Sequence, residues 1–318
     1  MPFDHPLWIV YSSGTTGNPK PIVHSHGGIL VEQAKQSLHQ DLQVGDRFSW
    51  LTSSGWIIWN VQFTALAQGA TLALLDSAPN HPDLGEIWRF VGSEQLTYFG
   101  AGAAFFSACL KAGIRPSEIA DLSALRGAGS TGSPLTSEAY DWVYKTVKAD
   151  IWLVQISRCI DLAGAFVVDN PMQPVRSGEM QFRALGNAVH AFDAAGKALI
   201  GKVGELVCTE PLPSMPLYFC VDASDVPLKA AYFDTYPGIW RHCDWIEISR
   251  MVRQSSMAAQ TPQSTTMGYV WDSQKFIEPS RRCQRCWILW WLIWNISGAK
   301  LLCQFLWSQP RGWPAMMA

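Results

Sequence analysis

The hydrophobic and polar positions of residues 1–250 predict strands that alternate with helices. Short apolar and β-branched runs predict strands at residues 7–11, 70–75, 96–100 and 151–156, and we expect the first of them to be buried. The stretches between them have a helical pattern, which predicts helices at residues 29–38, 86–91 and 103–112. Such alternation is typical of an α/β fold with a mainly parallel sheet. Segments 173–184 and 201–210 predict strands of a small barrel-like subdomain.

A loop rich in hydroxyl groups and glycines follows the first predicted strand. It contains Ser12, Ser13, Gly14, Thr15, Thr16 and Gly17, with Lys20 shortly after. Glycines let backbone N–H groups approach an anion, while hydroxyls add donors and lysine adds a positive charge. The pattern predicts a phosphate-binding loop, although its spacing is not that of the P-loop. The alternative is an ordinary surface loop of similar composition. We interpret the two histidines that follow, His24 and His26, as packing residues.

A second cluster of small residues lies where another strand is predicted to end. It consists of Gly129, Ser130, Thr131, Gly132 and Ser133. Open α/β sheets bind ligands at the carboxyl ends of their strands. The pattern therefore predicts a ligand contact at this turn.

Composition separates residues 251–318 from the rest of the chain. They hold seven Lys or Arg, two acidic residues and seven of the sixteen Trp, whereas the whole chain has a formal net charge of -2. That overall charge argues against a nucleic-acid partner. The apolar run 287–294 is far shorter than the about 20 residues of a membrane span, so we predict no membrane partner. The scattered cysteines before residue 251 suit a reducing cytoplasm, and Cys283 and Cys286 have no second pair.

Residues 11–23 resemble the signature loop of the adenylate-forming enzymes, which grips the triphosphate of ATP. Within that family the chain resembles the acetoacetyl-CoA synthetases, for example at residues 3–8, 55–60, 213–216 and 232–245. The resemblance runs from about residue 2 to residue 250 and covers the second half of the family's large N-terminal domain. We therefore expect the chain to begin within a domain. The resemblance implies small-molecule substrates (acetoacetate, ATP and CoA) and Mg²⁺ as a cofactor.

The resemblance also implies roles for individual residues. The loop and Lys20 would hold phosphate, and the turn at residues 129–133 would lie by the adenine. Asp161 would help to hold Mg²⁺. Asp244 would accept hydrogen bonds from both ribose hydroxyls, because a carboxylate can accept from two O–H donors.

Four residues depart from the family's pattern. Arg158, Cys159 and Ile160 stand where the family has Gly, Gly and Thr, and Cys243 stands where it has Gly. A lysine that completes adenylation in the family has no in-frame counterpart here. We therefore expect this polypeptide to be an inactive member of an acid–thiol ligase family. The alternatives are another short- or medium-chain acyl-CoA synthetase, or a nucleotide-binding remnant without catalysis.

The resemblance stops at Arg250. Back-translation of residues 267–272, read one base earlier, permits His-Gly-Val-Arg-Met-Gly, which contains a string of the family. We therefore predict two regions. Residues 1–250 form part of an AMP-binding domain, and residues 251–318 are an out-of-frame tail without an evolved fold.

Overall fold

The computed structural model describes residues 1–12, 19–220, 224–249 and 254–257. The helices in this part are α1 (His26–Gln40), α2 (Ile57–Phe63), α3 (Glu86–Ser93), α4 (Ala103–Lys111), α5 (Pro116–Ile119), α6 (Ser137–Thr146) and α7 (Asp225–Tyr232), and a 3₁₀ turn covers Thr64–Gln68. The strands are β1 (Pro6–Ser12), β2 (Lys20–Ser25), β3 (Arg47–Trp50), β4 (Thr71–Leu72), β5 (Tyr98–Gly102), β6 (Gly127–Thr131), β7 (Trp152–Gln155), β8 (Ser157–Cys159), β9 (Gly164–Val168), β10 (Phe182–Arg183), β11 (Val189–Phe192), β12 (Ala198–Leu199), β13 (Val203–Cys208), β14 (Tyr218–Phe219), β15 (Trp240–Ile248) and β16 (Gln254–Met257).

Five strands form a parallel sheet in the order β4-β3-β5-β6-β7. Helical segments connect each strand to the next along the chain, as parallel pairing requires. The α/β fold predicted from the sequence is confirmed.

Hydrophobic clusters cover both faces of this sheet. Successive side chains of a strand point to opposite faces. Accordingly, Tyr98 packs into one cluster and its neighbour Phe99 into the other. The cluster around Phe99 includes Ile87, Trp88 and Val91 of α3, which recur at helical spacing and are almost fully buried. Burying a side chain of this size contributes about 1.5–3 kcal/mol, so this packing fixes the sheet that carries the glycine-rich strand β6.

The other described strands form antiparallel sheets. Their orders are β1-β2-β14, β10-β9-β8 and β12-β11-β13-β15-β16. Segment 173–184 was expected to be a strand, but only Phe182–Arg183 is one. The side chain of Gln181 explains the difference, because its amide donates to the carbonyl oxygen of Gln173 at 2.7 Å and its Oε1 accepts from the backbone N–H of Asn170 at 2.9 Å. These hydrogen bonds stabilise a loop, so most of this segment does not pair as a strand.

The hairpin β1–β2 frames the hydroxyl-rich loop. Strand β1 was expected to be buried, but Tyr11 is 44% exposed and Leu7 to Ile9 are partly buried. Strand β2 was not predicted, and its Ile22 and Val23 are buried in the core. Helix α1 follows directly, with Ser25 as N-cap accepting from the N–H of Gly28 at 2.9 Å.

Within residues 251–318, the structure describes residues 254–257. Strand β16 pairs antiparallel with β15, with Gln254 opposite Ile248 and Met257 opposite Trp245. The remainder of the predicted tail, with its frame shift, lies outside the described residues. Among the helices that the structure describes, none has the length and apolar character needed to cross a membrane.

Candidate functional site

The two ends of the hydroxyl-rich loop meet where the β1–β2 ladder ends, beside the loop that connects the two strands. Ser12 is buried and pairs with Lys20 across the two strands. The other predicted loop residues, which are Ser13, Gly14, Thr15, Thr16 and Gly17, lie outside the described residues. The amino group of Lys20 lies 5.2 Å from the centre of the Tyr232 ring, a distance at which a cation is attracted to an aromatic face.

Tyr232 connects Lys20 to Asp161. Its ring stacks on Trp240 with the centroids 3.8 Å apart, and its hydroxyl donates a hydrogen bond to Asp161 Oδ1. Burial and the nearby Asp161 carboxylate raise the pKa of Tyr232, so the phenol keeps its proton and remains a donor. No local pattern marks Tyr232 as a site residue, because its partner Asp161 is 71 residues away along the chain.

Asp161 lies in a cluster with Cys159 and His242. One ligand atom from each of the three side chains lies within 4.8 Å of the other two. Cys159 ends strand β8, Asp161 follows two residues later, and His242 lies on β15. Burial raises the pKa of the Cys159 thiol, and the Asp161 carboxylate adds to the rise.

Asp244 reaches this cluster through a bulge in β15. Glu205 pairs with Trp245 and Val207 with Arg241, so β15 has two extra residues between these pairs. Cys243 lies in the bulge with φ at +68°, in the left-handed region that favours glycine. This backbone conformation explains why the family's pattern has a glycine here.

The bulge brings the side chains of His242 and Asp244 together. His242 Nε2 lies 3.3 Å from Asp244 Oδ2. Burial acts to lower the pKa of His242, but the hydrogen bond and charge of Asp244 outweigh it and raise that pKa above its ordinary value. The structure thus brings Lys20, Asp161 and Asp244 into one group through Tyr232 and His242.

The predicted turn at residues 129–133 is mostly a buried strand. Gly129, Ser130 and Thr131 belong to β6, and the Thr131 hydroxyl donates to the carbonyl oxygen of Ile156 at 2.8 Å. Only Gly132 and Ser133 are exposed, at the carboxyl end of the strand. Within the described part of the chain, no hydrogen bond or ion pair joins these five residues to Lys20, Asp161 or Asp244.

Gly129 makes room for aromatic rings. A Cβ atom there would lie 2.6 Å from Cη2 of Trp50 and 2.7 Å from the hydroxyl oxygen of Tyr98. At Gly132 the corresponding atom would lie 3.3 Å from Cη2 of Trp56. The predicted close approach of the backbone therefore serves packing at Gly129, whereas Gly132 and Trp56 lie where a ligand can reach them.

His24 is a packing residue, as interpreted from the sequence. It is fully buried, and its two ring nitrogens lie 3.2 Å and 3.1 Å from the carbonyl oxygens of Ser214 and Ile160. Burial lowers the pKa of His24 to about 4. The neutral ring can donate to only one of the two carbonyl groups.

The side chain of Arg158 points away from that of Cys159. Neighbouring residues of a strand face opposite sides, and the Arg158 guanidinium lies 5.6 Å from the centre of the Trp50 ring. It lines a cavity of about 30 Å³ together with Glu32, Lys35 and Asp169. The side chain that faces the Asp161 cluster is therefore that of Cys159.

The chain belongs to the family of AMP-binding enzymes, whose pattern matches residues 2–218. It is 43% identical over 248 residues to the acetoacetyl-coenzyme A synthetase of Rhizobium meliloti (strain 1021), a match that covers 78% of this chain and 38% of that protein. It is 40% identical over 250 residues to the acetoacetyl-CoA synthetase of Gallus gallus, again with 78% and 38% covered.

A solved structure gives the same result. The structure of acetoacetyl-CoA synthetase from Streptomyces lividans matches with a TM-score of 0.78 and 44% identity, covering 80% of this chain and 40% of that one. The resemblance to acetoacetyl-CoA synthetases inferred from the sequence is thereby confirmed. The chain spans 38% of the length of the first two relatives.

Proposed function

We propose that residues 1–250 form part of the adenylation domain of a ligase that joins acetoacetate to CoA. In such a reaction the carboxylate of acetoacetate attacks the α-phosphate of ATP, which gives an acyl-adenylate and pyrophosphate. The CoA thiol then displaces AMP. The observation that carries the proposal is the grouping of Lys20, Asp161 and Asp244 around Tyr232 and His242. The similarity to acetoacetyl-CoA synthetases supports it.

Each residue of the group has a proposed task. Lys20 and the hydroxyl loop hold the phosphates, since Lys20 follows the loop at the base of its hairpin. Asp244, whose side chain is 36% exposed, accepts hydrogen bonds from the ribose hydroxyls. Gly132 and Ser133 contact the adenine side at the carboxyl end of β6.

Asp161 is the residue that would meet Mg²⁺. This ion usually binds through one or two carboxylates together with substrate phosphates. Asp161 is partly exposed, and the Tyr232 hydrogen bond holds its carboxylate in place. The donors present therefore fit Mg²⁺ when it arrives with ATP, and the bound ion would neutralise phosphate charge.

We expect the chain as it stands to bind nucleotide without releasing pyrophosphate. Cys159 places a thiol, and Ile160 lacks a hydroxyl, at positions beside Asp161 where the resemblance implies Gly and Thr. Residues 251–318 also contain no in-frame counterpart of the lysine that the resemblance implies for adenylation. The second candidate function is a nucleotide-binding remnant without catalysis. The side chains of Cys159 and Ile160 beside Asp161 favour it over an active enzyme.

The test is acid-dependent pyrophosphate release. The parent chain is compared with a repaired, full-length variant, which adds the first half of the adenylation domain, carries Arg158→Gly, Cys159→Gly and Ile160→Thr, and continues in the other reading frame after Arg250. We expect release by the variant alone, faster with acetoacetate than with acetate or hexanoate. Faster release with another acid would reassign the substrate, and acetoacetate-dependent release by the parent would disprove the expected inactivity.

The out-of-frame tail is a proposal about the gene. A single base missing just after Arg250 accounts for the change of composition and for the family-like strings in the other frame. Resequencing the gene across this position tests it, since an alternative frame without family sequence would rule the shift out. A cytoplasmic location remains a prediction; it is supported by the described cysteines, all of which are free thiols.

A further inference from the structure

Three different metal-binding side chains converge beside the proposed nucleotide site. Sulfur of Cys159, a carboxylate oxygen of Asp161 and a ring nitrogen of His242 all lie within 4.8 Å of one another. Ligand atoms around one tetrahedral zinc ion, with bonds of 2.0–2.3 Å, are about 3.5 Å apart. Small rotations of the three side chains are therefore enough to place one ion between them.

The chemistry of the three donors selects the metal. Mg²⁺ binds oxygen ligands and would find a single protein oxygen donor here. Thiolate and imidazole are ligands of Zn²⁺ and similar transition metals, and Cys, His and Asp are all found in zinc sites. The set therefore favours Zn²⁺ in the absence of nucleotide, whereas Mg²⁺ needs the phosphates of ATP.

His242 provides independent support, because one of its nitrogens lacks a partner. The side chain is 9% exposed, and its Nδ1 is buried without a hydrogen-bond partner. Its Nε2 faces Asp244 at 3.3 Å. A metal-bound histidine typically donates its other N–H to a carboxylate, which fixes the tautomer that leaves a lone pair for the ion. The Phe166 ring, 4.6 Å from the His242 ring, adds packing that holds this orientation.

The other two ligands are held in a similar way. Asp161 accepts the Tyr232 hydroxyl through Oδ1. Cys159 Sγ accepts the backbone N–H of Leu162 at 3.3 Å, a bond that favours the thiolate. Cys159 is buried, but Asp161 is partly exposed, so an ion can enter from its side.

We propose that Cys159, Asp161 and His242 Nδ1 bind Zn²⁺, with a water molecule as the fourth ligand. Asp244 acts as a positioning residue through His242. Zn²⁺ and the Mg²⁺ of Mg²⁺–ATP would then compete for Asp161. The site does not depend on the proposed ligase activity, because the metal alone is its ligand.

The test uses Co²⁺ as a spectroscopic probe and Zn²⁺ in competition with a coloured chelator. Both are measured on the full chain with Cys283→Ser and Cys286→Ser, so that the cysteine pair at 283 and 286 cannot contribute. We expect one equivalent of Co²⁺ with a thiolate charge-transfer band, displaced by Zn²⁺ and not by excess Mg²⁺. Absence of the band, or displacement by Mg²⁺, would overturn the proposal.

Single variants assign the ligands. Cys159→Gly should abolish the band, and His242→Gln should lower Zn²⁺ affinity by more than about 100-fold, since even a supporting residue such as Asp244 is worth about 10–100-fold. Cys220→Ser is the matched control and should retain both signals. Circular dichroism checks folding, and Cys159→Ala replaces Cys159→Gly if the latter unfolds. An unchanged band in any folded Cys159 variant would show that the thiolate comes from elsewhere.

Discussion

Cys243 holds a strained backbone conformation, so its replacement by glycine should stabilise the fold. Its φ of +68° lies in the left-handed region, which costs a residue with a Cβ atom roughly 1–2 kcal/mol. Glycine removes that cost but loses about 0.5–1 kcal/mol through its greater freedom in the unfolded chain. The Cys243 side chain is exposed, so little burial is lost. The net effect is a gain of up to about 1.5 kcal/mol, so we expect Cys243→Gly to raise the free energy of unfolding.

Urea unfolding followed by tryptophan fluorescence measures this effect. The midpoint should rise with an unchanged slope, which indicates a change of stability alone. Cys220→Gly is the matched control, because Cys220 is also an exposed free thiol and its backbone is outside the left-handed region. We expect this control to lose about 0.5–1 kcal/mol. A lower midpoint for Cys243→Gly, or equal shifts in both variants, would refute the strain at Cys243.

Two further predictions concern the core. Asp169 is buried with both carboxylate oxygens unpartnered, and burial raises its pKa to about 7. Between about pH 4, its unfolded pKa, and pH 7, Asp169 is ionised in the unfolded chain but protonated in the folded chain. The free energy of unfolding therefore falls by about 1.4 kcal/mol for each unit of rising pH. Asp169→Asn removes this loss. In urea unfolding, the free energy of unfolding of the variant relative to the parent should rise from pH 4 to pH 7 and then level off. A constant difference at every pH would contradict the raised pKa of Asp169. Gly129→Ala should cost about 1–3 kcal/mol by overpacking against Trp50 and Tyr98, whereas Gly55→Ala, with open space around it, should change stability by less than about 0.5 kcal/mol; equal midpoints would contradict the packing role of Gly129.

The strands and helices that arise from local periodicity could be predicted from the sequence. The parallel sheet followed from the alternation of apolar strands with helices, and α3 and α4 lie within two residues of their predicted bounds. Strand β2 was missed because its residues follow a loop signal and pair only with β1 and β14. The strand predicted at residues 173–184 was wrong because the side chain of Gln181 satisfies backbone groups that would pair in a strand.

The candidate site was predictable only in part, because its contacts are long-range. Lys20, Asp161 and Asp244 followed from the resemblance, and the geometry of the described residues groups them. Tyr232 and His242 connect these three, yet no local pattern marks them, since Tyr232 is 71 residues from Asp161. The direction of Arg158 likewise depends on the pleat of β8 and on the space beside Trp50.

ATP binding by the purified chain tests the central proposal most directly. Calorimetry with Mg²⁺ and ATP should give one binding site in the parent. Asp244→Asn should weaken binding by about tenfold or more, because a hydrogen bond to a charged group is worth about 1.5–3 kcal/mol. Asp150→Asn, at a carboxylate whose side chain is 79% exposed, is the control and should bind as the parent does. Absence of ATP binding in the parent, or equal binding by the Asp244→Asn and Asp150→Asn variants, would contradict a nucleotide site at Lys20, Asp161 and Asp244.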